Sequence, residues 1–223
     1  MLGTFVIETI LGLHVMLTRK GIIARLSVVL LFCLAAFQLC EYFVCVGSPT
    51  FRLDWTRFGL VCISFLPALG VDLAGLLTRR TWLVFVGYAA ALAFSVTFFL
   101  LPSASAAGSC LGNYILIAMP NSRFSELYMW YYFGFIVLGM SQLIWGMIYD
   151  KQISRPLYWA RLWFVIGYLS FTVPMAVVAF MSPSARAGTP SLMCGFALSL
   201  AVIVALRVVP LSVPALVGSQ QPT

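Results

Sequence analysis

Charge is what this chain has least of. Of its 223 residues 9% are charged, with six acidic side chains, thirteen basic ones and a single histidine, while 62% are hydrophobic. Soluble domains carry about 25% charged residues, and so few charges cannot cover this much apolar surface in water. A bilayer is the expected solvent. Backbone inside a bilayer must satisfy its own hydrogen bonds, which leaves helices or a closed barrel. A barrel would show segments of about ten residues alternating in polarity. The chain has long unbroken apolar runs instead, so the expected fold is an all-α polytopic membrane bundle.

Other absences exclude chemistries. One histidine, His14, is too few for a histidine-ligated zinc hydrolase or for haem held by paired histidines. The lysines are Lys20 and Lys151, both between apolar runs, so a retinal Schiff base in the last span has no amine. No HExxH, GxSxG or phosphate-binding glycine loop occurs. Neither enzymatic activity nor a cofactor is expected. No basic cluster with interleaved aromatics occurs, so nucleic acid is not an expected partner.

The six cysteines form no CxxC pair. Most lie in apolar runs, where cysteine is ordinarily a small packing residue. Cys110 follows a Gly/Ser/Ala-rich stretch and is a disulfide candidate, with Cys45 or Cys62 as its partner. Residues 1–17 lack a basic n-region and contain Glu8 and His14, so they read as a first span rather than a cleaved signal.

A helix needs roughly 20 apolar residues to cross about 30 Å of hydrocarbon. Seven stretches approach this: 2–17, 26–46, 58–77, 82–101, 128–148, 158–181 and 191–209. They make one transmembrane domain, 1–210, followed by a short tail, 211–223. Alternate connections are basic. Arg19, Lys20, Arg25, Arg79, Arg80, Lys151, Arg155, Arg161 and Arg207 share one side, against Arg52, Arg57, Arg123 and Arg186 on the other. Cytoplasmic loops carry the excess of Lys and Arg, which sets the N-terminus outside and the C-terminus inside. The long connection 102–127 is then external, and its apolar part, Tyr114–Met119, is expected to lie on the membrane surface. Gly70 with Ala74, Gly87 with Ala91, and Ala197, Ala201 and Ala205 recur at the spacing that allows close helix contact. Pro67 and Pro174 are expected to kink the third and sixth spans.

Ionisable groups inside a bilayer cost at least about 2.5 kcal/mol each, so they mark candidate sites. A rise of 1.5 Å per residue puts Glu8 and Glu41 at similar depth near the outer side, with Gln38 one turn below Glu41. His14, Asp72 and Gln142 fall near one inner level. Two layers follow. In the outer one, Glu8, Gln38 and Glu41 would line a ligand pocket, with Trp55 and Arg57 at its mouth. In the inner one, His14, Asp72 and Gln142 would serve coupling or proton transfer. Two close carboxylates would share a proton or hold a cation, and His14 beside Asp72 would form an ion pair or pH-sensitive switch. The competing reading is that these groups bond to neighbouring helices and fix packing.

Trp55-Thr-Arg57 before Pro67 and Trp159-Ala-Arg161 before Pro174 form a degenerate pair on oppositely directed spans, the arrangement of an inverted-repeat transporter. A second set of stretches resembles a known family. It comprises Ala35-Ala-Phe-Gln-Leu-Cys-Glu41, Trp55-Thr-Arg57 and Phe65-Leu-Pro67; Tyr128-Met-Trp-Tyr-Tyr-Phe133 with Gly139; and Thr189-Pro-Ser191 with Gly195-Phe-Ala-Leu198, running to Arg207, Pro210 and Pro214. This pattern resembles the N-terminal seven-transmembrane sensor region of bacterial histidine kinases and related signalling proteins. The resemblance implies a sensor in the bacterial inner membrane that binds a small-molecule or lipid ligand and acts through a membrane or cytoplasmic signalling partner. The departure is that no output domain follows the last span in this sequence. A small transporter or proton-coupled carrier using the same carboxylates is the alternative.

Overall fold

The computed structural model describes residues 1–101, 104–106, 108–111, 114–117, 119, 121–150, 153–181 and 189–218. Lys151, Arg186 and part of the 102–127 connection lie outside the described residues. The helices are α1 (Leu2–Thr18), α2 (Ile22–Val46), α3 (Arg52–Thr78), α4 (Trp82–Leu100), α5 (Ser122–Tyr149), α6 (Arg155–Met181), α7 (Thr189–Ile203) and α8 (Val209–Gly218). A 3-10 turn, Pro49–Phe51, leads into α3, and a π turn, Val204–Val208, joins α7 to α8. Strands β1 (Ser109–Leu111) and β2 (Tyr114–Leu116) form an antiparallel hairpin with Cys110 opposite Ile115.

Six helices are long and apolar enough to cross a membrane: Ile22–Val46, Pro49–Thr78, Trp82–Leu100, Ser122–Tyr149, Arg155–Val178 and Ser191–Val213. This is the architecture of an all-α chain compatible with an integral, multi-pass membrane protein. α1 is a shorter apolar helix. Its 17 residues extend about 25 Å.

Most helices are longer than their apolar runs. α3 begins at Arg52, so Trp55 and Arg57 belong to its opening turns, and α5 begins at Ser122, where Asn121 caps it by accepting the Phe124 N–H at 3.1 Å. The helical path at the other end also runs past residue 209. Pro210 has no N–H to return to the preceding turn. The wider π turn at Val204–Val208 lies immediately before it, and the helix resumes through Gly218.

α3 is the centre of the bundle, packing on α2, α4, α5 and α6. α1 packs on α2 and α7, and α6 packs on α7 and α8. Pro67 and Pro174 both lie within continuous helices. Gly21, at φ 111°, makes the tight reversal between α1 and α2, a conformation open to glycine alone at little cost. That reversal makes the two helices antiparallel neighbours and brings their outer halves together. Gly87 faces α3 so closely that an added Cβ would lie 3.4 Å from the Ala68 Cα.

The inner ends of α3, α5 and α6 are pinned by one side chain. Arg161, 1% exposed, donates from Nε to the Leu77 carbonyl at 3.0 Å and from Nη1 to the Gly146 carbonyl at 2.7 Å. Its Nη2 reaches Asp150 Oδ2 at 3.0 Å. A guanidinium thus satisfies carbonyls near two helix C-termini, where the helix dipole favours positive charge. Gln142 Nε2 donates nearby to Thr78 Oγ1 at 3.0 Å and to the Arg80 carbonyl. On the outer half, Tyr131 Oη donates to the Ser64 carbonyl at 2.6 Å, and Ser64 Oγ donates to Tyr128 Oη at 3.2 Å.

Candidate functional site

The outer polar layer assembles around α1, α2 and α7. Glu8 is fully buried, Glu41 is 1% exposed and Gln38 is 2% exposed. Thr4, one turn before Glu8 on the same face of α1, donates to Gln38 Oε1 at 2.9 Å. The Glu8 and Glu41 carboxyl groups lie within electrostatic reach of each other and of the Met1 amino group. Both Glu8 oxygens and Glu41 Oε1 have no hydrogen-bond partner among the described residues. Three buried carboxyl oxygens without partners are unusual, because buried polar atoms in folded proteins are nearly always satisfied.

A roof closes this layer. The stretch expected on the membrane surface, Tyr114–Met119, instead buries Ile115 and Ile117 against the bundle end, at 1% and 6% exposed. Burying these apolar side chains against α2 and α7 removes them from water, which a surface position would do only in part. Three ties hold the roof. Cys110 is bonded to Cys45 at the end of α2, with Cα atoms 5.6 Å apart, and Cys62 is a free thiol. The Gly108 N–H donates to Thr56 Oγ1 at 3.1 Å. The Ile115 N–H donates to Ser191 Oγ at 3.1 Å, and Ser191 lies beside the Glu41 side chain. The hairpin is thus bonded to the start of α7 beside the buried carboxyl.

Trp55 and Arg57 are half-buried on α3. Trp55 stacks on Phe43 of α2 with ring centroids 4.6 Å apart, beside Phe58. Arg57 Nε has no hydrogen-bond partner among the described residues. Neither residue bonds to Glu8 or Glu41 among the described residues.

The inner layer does not form. His14 is exposed on α1, and Asp72 accepts a hydrogen bond from Tyr88 of α4 at 3.0 Å. The expected His14–Asp72 pairing fails because α1 packs on α2 and α7, whereas Asp72 faces α4 on another side of α3. Equal depth does not imply a common side of the bundle. Gln142 caps the α3–α4 turn. No group of three or more His, Cys, Asp or Glu side chains is arranged to hold a metal ion among the described residues.

An apolar cavity of about 30 Å³ lies deeper, bordered by Leu34, Pro67, Gly70, Tyr168, Cys194 and Ala197. That is room for a water-sized group. Tyr168 Oη has no partner among the described residues, and a Cβ on Gly70 would lie 2.2 Å from it. Glu8, Gln38 and Glu41 do not border this cavity.

Sequence reasoning missed Ser191, Thr56 and Thr4. Thr4 was accessible from its four-residue spacing to Glu8; Ser191 and Thr56 carry no local signal, since their partners are 76 and 52 residues away. Compared with protein-family models, curated proteins and solved structures, the chain matches none of them.

Proposed function

We propose that this chain is a membrane-embedded sensory or receptor-like module of a bacterial inner membrane. Seven spans, α1 included, cross with the N-terminus outside. The outer layer of Glu8, Gln38 and Glu41 is the sensing site, and its occupancy passes to a signalling partner through α7 and α8. The observation that carries this reading is the closed carboxyl pair with three unpartnered oxygens, set beside Ser191, which bonds the hairpin. The disulfide agrees with the orientation, because such bonds persist in oxidising compartments and Cys45 ends α2 on the side assigned to the exterior.

An apolar layer beneath Glu8 and Glu41 supports sensing over transport. Beneath the outer layer α2 and α3 present Leu30, Leu31, Leu34, Leu69 and Leu73, all buried, and the inner polar groups Arg161 and Gln142 bond to helix ends. A carrier would need a second polar station in line with the first.

Native mass spectrometry of the chain released gently from its membrane tests the reading, comparing the wild type with Glu41→Gln. The expected result is a bound protein subunit whose retention changes at least tenfold in the variant; a retained small molecule lost in the variant would keep the sensor reading and name a ligand other than the one inferred below. Retention unchanged by the substitution, together with Glu41-dependent flux in proteoliposomes, would replace the sensor with a proton-coupled carrier.

A further inference from the structure

Among the described residues the outer layer is buried and holds no cationic side chain. Among the described residues, the groups facing Glu8 or Glu41 are the Met1 amino group from α1, the Cys40 thiol from α2, and Ser191 and the Cys194 thiol from α7, with Gln38 bonded to Thr4 beside them. One amino group cannot offset two carboxylates. Three open oxygens also fall short of the six to eight that a calcium ion takes or the octahedral set of magnesium. A buried carboxylate without a partner is too costly to remain ionised and takes up a proton instead. Resting on the sensing-site reading above, we propose that the ligand of the outer layer is the proton: Glu8 and Glu41 together hold at least one at neutral pH, and its release is read by the hairpin.

The read-out runs through Ser191. When Glu41 ionises, the Ser191 hydroxyl beside it gains a charged acceptor and bonds it more strongly. Ser191 also accepts the Ile115 N–H, so the roof is drawn toward α7 as the proton leaves. Proton loss on the outside thus changes how tightly the roof is held, without any movement of charge across the bundle.

Infrared titration of the full chain in lipid tests this, using the carbonyl stretch that a protonated carboxyl shows and a carboxylate lacks. Wild type, Glu8→Gln, Glu41→Gln and, as a control, Asp72→Asn are compared, with hydrogen exchange at the Ile115 amide measured across the same pH range. The expected result is a protonated-carboxyl band at pH 7 in the wild type that loses at least half its intensity in Glu8→Gln or Glu41→Gln and keeps it in Asp72→Asn. Exchange at Ile115 then follows the same titration in the wild type and loses its pH response in Ser191→Ala. A wild-type band that is absent, or unchanged by both glutamate substitutions, overturns the proposal. So does a stoichiometric cation or small molecule recovered from the wild type and lost in Glu41→Gln, an outcome that would leave the sensing reading standing. A band that responds to the glutamates while Ile115 does not supports the proton site and counts against sensing.

Discussion

At the scale of single residues, the bundle depends on a few contacts that tolerate no substitution nearby. The Tyr168 hydroxyl occupies a notch formed by Gly70 and Gly139, where added Cβ atoms would lie 2.2 Å and 3.3 Å from it. Gly70→Ala is therefore expected to destabilise the chain by about 1–3 kcal/mol through overpacking. Tyr168→Phe removes the hydroxyl that clashes and also removes a buried group without a partner. The double variant should recover most of the loss, as measured by thermal unfolding in detergent, and additive losses would refute the notch. Arg161 is the opposite case, a buried charge whose donors are well used. Arg161→Met strips two helix-terminal carbonyls of their partner, at about 1–3 kcal/mol each. Arg161→Lys should rescue little, because an ammonium cannot reproduce the planar fork that reaches both helices and Asp150. Full rescue by lysine would show that charge alone matters at this position.

At the scale of elements, the hairpin is the part whose attachment can be separated from the rest of the fold. The Cys45–Cys110 bond closes a loop of 65 residues, which in a chain-entropy account stabilises by about 4 kcal/mol at most. The ordered helices of a membrane chain reduce that figure, since the unfolded reference is already constrained. The larger effect is expected locally. Cys110→Ser should raise hydrogen exchange of the Ile115 amide at least tenfold while leaving amides in the middle of α3 unchanged. Equal acceleration in both places would mean that the bond supports the whole bundle rather than the roof. Residues Tyr114–Met119 also illustrate how element identity escaped sequence reasoning. An apolar stretch in a polar connection fits a membrane surface and a plug equally well. The deciding partners, α2 and the start of α7, are distant in sequence.

At the scale of the whole molecule, orientation is the first question, because it determines which solution the outer layer samples. The proposed orientation, drawn from the distribution of basic residues, puts the α1–α2 reversal inside and the α2–α3 connection outside. Single cysteines introduced as Lys20→Cys and Ser48→Cys, in chains otherwise lacking free thiols, test this with a membrane-impermeant maleimide. On right-side-out vesicles Ser48→Cys is expected to label at least tenfold faster than Lys20→Cys, and the order should invert on inside-out vesicles. The reverse pattern would turn the bundle over and place the roof in the cytoplasm.

Composition alone pointed to a bilayer and to the helical class, because apolar runs of span length with few charges suit that environment. Spacing along the chain determined that Glu8 and Glu41 share a level, since a short reversal between two helices converts sequence distance into depth. Only tertiary structure decided the lateral arrangement. Depth is a local quantity, counted at a fixed rise per residue. Which side of a helix meets which neighbour depends on the packing of all the helices together. For that reason Glu8, Gln38 and Glu41, on adjacent helices, came together as their spacing implied. His14 and Asp72, at equal depth on helices that do not adjoin, did not meet, and Ser191 joined the site from the far end of the chain.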